Sequence, residues 1–240
     1  MPENNVPAVK EDGDFAIFRA EREKVRDIVS LNLRGKKLRQ FDLERITIPS
    51  GGAKHWTIPG PDGDQTVDMI EGVLLYYKNT RSWWPDMDPT GKPPKCKSED
   101  AIVGFGSRFE DEEPGRHDCL TCPHAEFGSD PKHHRGQWCK EKYALFILMK
   151  DTFLPHLIMI PATSLEHLQK WIIRLTTYGK NYNEKVMGFL LEPATNQDGQ
   201  KYNKVVPKGI RDLNPEEYEI IRGYTESVIP ALKSVELASE

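Results

Sequence analysis

The chain has four cysteines, and all of them fall within one 44-residue stretch: Cys96, Cys119, Cys122 and Cys139. Cys119 and Cys122 form a C-x-x-C pair, while Cys96 and Cys139 stand well upstream and downstream of it. Four thiols confined to one segment suggest a single tetrahedral metal site, with Zn²⁺ the default occupant. One tight turn lets the C-x-x-C pair present two thiolates to the same ion. The outer two cysteines must be brought in by folding, so the metal would close two long loops. A four-thiolate site keeps no position open for substrate, so it points to structure before chemistry.

Other uses of four cysteines compete with this one. Two disulfides need an oxidising compartment, and the N-terminus has neither a basic region nor an apolar run of signal-peptide type. An iron–sulfur cluster takes the same four ligands and stays open as the alternative cofactor. A thioredoxin-like redox pair should follow a strand, and here the pair sits among charged and loop-forming residues. His117, His124, His133 and His134 crowd the same segment, and any one could replace a cysteine ligand.

With 38% hydrophobic and 29% charged residues the sequence has globular composition. No apolar stretch nears the ~20 residues that span a bilayer, so no membrane partner is expected, and a cytoplasmic location is. The net charge of −4 makes any nucleic-acid site a local basic surface. Lys201, Lys204, Lys208 and Arg211 form one acid-free basic run, and the segment from 212 to 240 is acidic. That acidic C-terminal segment is a candidate contact for protein partners.

Hydrophobic spacing predicts an amphipathic helix over residues 16–33. Strands follow near Phe41–Ile48, His55–Ile58 and Val67–Lys78, with turns at Pro49–Gly52 and Pro59–Gly63. Residues 85–142 read as loop, too poor in apolar residues to fold around a core of their own. Strands return at Tyr143–Lys150 and Leu157–Ile160. A helix capped by Ser164 carries Leu165, Leu168, Trp171, Ile172 and Leu175 on one face. Lys185–Glu192 reads as a strand and Tyr202–Val206 as a candidate strand. A last helix opens at Asn214-Pro215. The expected fold is therefore α+β, mainly β: one elaborated domain over 1–240, an OB-fold-like barrel with flanking helices and a zinc-stapled loop insertion at 85–142.

Aromatic and basic residues interleave at Tyr76–Trp84 and at Gln137–Tyr143. Single-stranded nucleic acid offers a line of phosphates and unstacked base faces, which Lys or Arg and aromatic rings meet respectively. The candidate contacts are Tyr77, Trp83, Trp84 and Trp138 for stacking, with Lys78, Arg81, Lys140 and Lys142 for phosphates. Strand alternation sends one of Trp83 and Trp84 inside and leaves the other exposed. Enzyme signatures are absent: no H-E-x-x-H, no zinc-deaminase motif, no phosphate-binding glycine loop. The acidic run Glu110–Glu113 reads as solvated loop. A non-enzymatic binding protein is expected, with a zinc-stapled adaptor or a metal-dependent nucleic-acid enzyme as alternatives.

The strings "DLERITIPSGGAKHW", "IEGVLLYYKNTRSWWP", "PPKCKSEDAIVGFG", "CLTCPHAEFGS" and "GQWCKEKYALFILM" resemble a group of phage and integrative-element proteins taken to be single-stranded DNA-binding proteins. "LPHLIMIPATSLEHLQKWIIRL" and "KVMGFLLEPATNQDGQKYNKVV" extend the resemblance over roughly residues 41–206. It implies an OB-type core, a bound metal, DNA binding without sequence-specific readout, and a setting in DNA replication or recombination in the cytoplasm of a bacterial host cell. It transfers no individual DNA-contact residue.

Overall fold

A run of apolar residues around 70–77 builds the strand that organises the fold. The computed structural model describes residues 15–19, 31–32, 34, 43–86, 91–132, 136–196, 199–235 and 237. Its elements in chain order are α1 (Ala16–Arg19), β1 (Arg45–Ile46), β2 (Trp56–Ile58), β3 (Gln65–Val67), β4 (Met69–Trp83), β5 (Cys96–Ser98), β6 (Val103–Gly106), β7 (Gly115–Asp118), β8 (Lys140–Met149), β9 (His156–Pro161), α2 (Ala162–Thr177), β10 (Lys185–Thr195), β11 (Lys201–Asp212) and α3 (Pro215–Ser234). Of the helix expected over 16–33, α1 and the helical Leu31 and Asn32 are described; the rest lies outside the described residues, as does Phe41.

β4 is 15 residues long and pairs with β8 along nearly its whole length. Its other edge is shared. β10 takes the Met69–Val73 end and β5 takes the Arg81–Trp83 end. The resulting nine-stranded sheet runs β1-β9-β8-β4-β5-β6-β7, with the β10–β11 hairpin branching from β4. β2 and β3 form a separate two-stranded sheet.

Each face of the large sheet carries a helix. Leu165, Leu168, Trp171 and Leu175 of α2 pack with Ile70, Leu74, Leu145 and Ile147 on one face. On the opposite face Ile221 of α3 packs with Val73, Leu75 and Leu148, joined by Phe15 and Ile17. Leu232, Val235 and Leu237 continue that layer over Ala144, Phe146 and Leu157. Double coverage is why β4 and β8 read as near-continuous apolar runs. Each fully buried Leu, Ile or Phe here contributes on the order of 1.5–3 kcal/mol.

The α+β, mainly β class is as expected, but the barrel is not. Among the described residues the sheet is open, with β1 and β7 at opposite ends of its path. A barrel needs its terminal strands to pair. Here helices cover both faces, and the outer edge of β4 splits between two strand groups that diverge. Residues 85–142 also depart from the loop expected of them. They supply β5, β6 and β7, which extend the main sheet, and no zinc-stapled loop is seen among the described residues.

Capping divides the two long helices. Asn214 caps α3 as expected: its side chain accepts from Glu217 N at 2.9 Å, and the Glu217 carboxylate reaches back to Asn214 N at 2.9 Å. Ser164 is no cap. α2 starts at Ala162 after Pro161, and Ser164 is fully buried with its Oγ accepting from Val205 N at 2.9 Å. That bond satisfies a backbone donor of β11 and ties helix to strand.

Candidate nucleic-acid interface and four-cysteine cavity

The far end of β4 positions the cysteines. Cys96 on β5 lies opposite Trp83 on one side and Gly106 on the other. The Cys119–Cys122 turn follows β7 directly, with Cys119 N donating to Ile102 O at 2.8 Å. Cys139 precedes β8, and its amide donates to the His124 carbonyl at 2.8 Å. All four cysteines line one cavity of about 20 Å³, together with Arg81, Trp83, Ser98, Arg108, His117 and His124. None is disulfide-bonded. Gly104 is needed there: a Cβ on it would lie 3.0 Å from Cys96 Sγ and 3.4 Å from Cys119 Sγ. The sulfurs converge, but among the described residues no group of three or more Cys, His, Asp or Glu side chains is disposed to hold an ion.

Cys96, Cys119 and Cys139 are hard to ionise where they stand. Burial, with neighbouring cysteines adding to it, pushes Cys139 up to about 12 and Cys96 up to about 11. Cys119 is also raised by burial, while a hydrogen bond from Ser98 and the nearby Arg81 charge pull it back. The two described histidines beside the cavity have other partners. His124 Nε2 bonds the Arg108 carbonyl at 2.6 Å, and His117 Nε2 bonds the Gly106 carbonyl at 2.7 Å. The His124 ring stacks on Trp83 at 4.6 Å, and Trp138 meets both rings edge-on at 5.4 and 4.9 Å. His133 and His134 lie outside the described residues.

The predicted DNA contacts do not share a surface. Directly paired residues of neighbouring strands point to the same face. Lys78 pairs Ala144, Thr80 pairs Lys142 and Ser82 pairs Lys140, whereas Tyr77 pairs Leu145 and Arg81 pairs Glu141. Lys78, Lys140 and Lys142 therefore lie on the α3 face, and Tyr77, Arg81 and Trp83 on the α2 and cysteine face.

Several of these side chains are also committed internally. Lys78 is 7% exposed; its Nζ donates to the Val235 carbonyl and lies 3.5 Å from Glu99. Arg81 is ion-paired with Glu141, both largely buried, and reaches Gln137. Tyr77 packs between Tyr143 and Tyr182. Trp83 is 2% exposed, while Trp84 is half-buried with Nε1 donating to Lys92 O at 2.9 Å. Only half of the expected split is present: Trp83 is inside, whereas Trp84, one residue past the end of β4, is half-buried and not exposed. Trp138 and Lys142 are half-buried; Lys140 is exposed and paired with Asp130 at 2.8 Å.

Sequence reasoning passed over the residues that stand out in solvent at this end of the sheet. Ile102, Phe105, Phe109, Leu120 and Phe127 are all exposed, Phe127 by 81%. They fall in the segment read as loop. The alternation in Val103-Gly104-Phe105-Gly106 was the available signal that Phe105 sits on a strand.

Comparison with known proteins gives no match to this chain: no protein-family model, no curated protein and no solved structure. Among the described residues no helix is long and apolar enough to cross a membrane.

Proposed function

We propose that the chain is a sequence-tolerant single-stranded DNA-binding protein whose four cysteines hold one structural Zn²⁺. The observation that carries the DNA reading is the exposure of Phe105, Phe109 and Phe127 by 59%, 48% and 81% in a segment that also bears Arg108 and Arg116. Arg108 lies over the Phe109 ring, 5.8 Å from its centroid, but its guanidinium is paired with Glu112 at 2.6 Å, so Arg116 carries the phosphate side of this reading. Exposed rings beside cations suit unstacked bases joined by phosphates, and a phenyl face accepts any base. The phage or integrative-element setting, with replication or recombination proteins as partners of the acidic C-terminal segment, rests on the sequence resemblance.

The zinc reading is supported by four free thiols around one cavity. Its volume of about 20 Å³ suits a single ion. Binding would require the sulfurs to lose their protons and close on the ion. Metal analysis should return one zinc per chain and a colourless protein; a brown protein would reassign the ligands to an iron–sulfur cluster.

A protein-docking adaptor has one observation in its favour. Ile102 and Leu120 are apolar and exposed by 55% and 78% near the point where the Cys119 amide bonds the Ile102 carbonyl. Electrophoretic shifts with single-stranded and duplex DNA at two salt concentrations separate these readings. Preference for the single strand, weakening with salt, is expected. Equal affinity for both forms would indicate a general polyanion surface, no shift would favour the adaptor, and degradation with added divalent metal would indicate a nuclease.

A further inference from the structure

Three short strands extend the sheet beyond the end of β4, and their register sets one row of side chains across them. Lys97 on β5 lies opposite Phe105 on β6, and Phe105 lies opposite Arg116 on β7. Directly opposed residues share a face, so the aromatic ring stands between two cations. Gly104, next to Phe105, faces the cysteine sulfurs. Alternation therefore turns Phe105 away from the cavity and out to solvent, where it is 59% exposed. Arg116 is exposed as well. Adjacent strands are spaced by ~4.8 Å, which puts the two cation-bearing backbones roughly 10 Å apart.

We infer that the row Lys97–Phe105–Arg116 is a single-strand track, in which one base stacks on Phe105 and the flanking phosphates meet Lys97 and Arg116. This rests on the single-stranded DNA reading and gives it an address that none of the interleaved sequence motifs supplied. An exposed ring between cations offers an apolar face beside positive charge, the pairing that unstacked bases and phosphates meet. The two cations call for an anion-bearing ligand, and single-stranded nucleic acid carries both a flat apolar face and a negative charge at each repeat. The cysteines lie behind the track, on the opposite face of the same three strands, so whatever stiffens the cavity also stiffens the platform.

The test is a set of fluorescence-anisotropy titrations with a short labelled oligothymidylate at several salt concentrations. Phe105→Ala should weaken binding roughly 5- to 150-fold, the equivalent of one base left unstacked. Phe105→Trp should retain or tighten binding, which a merely structural role for the ring would not produce. Lys97→Gln with Arg116→Gln should flatten the salt dependence by about 1.4 in log–log slope, ~0.7 for each phosphate partner removed. Melting curves should stay close to the parent's, since none of the three positions belongs to the buried core. If the parent binds and these variants bind equally well with an unchanged slope, the track is overturned while the DNA reading stands. If the parent itself ignores the single strand, both fall together.

Discussion

Replacing Trp83 by alanine should be among the costliest single changes at the cysteine end of the sheet. Trp83 is 2% exposed, lies flat on His124 at 4.6 Å, meets Trp138 edge-on at 5.4 Å and lines the four-cysteine cavity. Truncating a buried Trp costs ~3–5 kcal/mol, and removing each aromatic pairing adds ~0.5–1.5 kcal/mol. One effect works the other way. The buried indole N–H has no hydrogen-bond partner among the described residues, a defect worth ~1–3 kcal/mol that the substitution removes. The net expectation is about 4 kcal/mol, or a fall in Tm of ~8–16 °C for a chain of this size. Trp84→Ala is the control. Half-buried and bonded to the Lys92 carbonyl, it should cost about 1 kcal/mol. Urea unfolding of both variants, followed by far-ultraviolet circular dichroism, measures the pair. Equal costs, or a Trp83→Ala cost below ~1.5 kcal/mol, would show that the stack around His124 does not brace this end of the sheet.

Gly106→Ala should disrupt the β5–β6 pairing, because Gly106 has φ +132° and a Cβ there would lie 2.0 Å from the Lys95 carbonyl oxygen; destabilisation by ~3 kcal/mol or more in urea melts is expected, and a parent-like melt would contradict the register. Cys119→Ser should lower stability and abolish stoichiometric zinc uptake if the cavity is a structural site, whereas a variant that melts like the parent and keeps one zinc would exclude Cys119 as a ligand. Glu217 should make α3 acid-sensitive. Hydrogen bonds from Arg211 first, then the Asn214 amide, hold its carboxyl below the ordinary value of 4.5. A carboxyl depressed in the folded state contributes fully above the unfolded value and loses that contribution as pH falls through the folded one. Stability should therefore drop below about pH 4.5, and Glu217→Gln should shrink that drop; a pH profile unchanged by the substitution would refute the role assigned to the capping box.

Local features of this chain were legible without the structure. Asn214, Pro215 and Glu217 act within one turn of helix, so their order alone specifies the start of α3. The apolar face of α2 follows from a 3.6-residue period, and the placing of Arg81 and Trp83 on one face of β4 follows from a two-residue period. The grouping of the cysteines signalled their convergence because few other uses of four clustered thiols exist. What lay out of reach depends on partners distant in sequence. β4 pairs with β10 more than a hundred residues away, and only that pairing splits its edge and leaves the sheet open. Lys78 and Arg81 read as surface cations until the Val235 carbonyl and Glu141 are brought against them. Ser164 has the composition of a cap and becomes a buried tie to Val205. Side-chain periodicity is a property of the local backbone, so sequence determines which residues share a face. Which face is covered, and by what, is a property of long-range burial, and only the folded chain decides it.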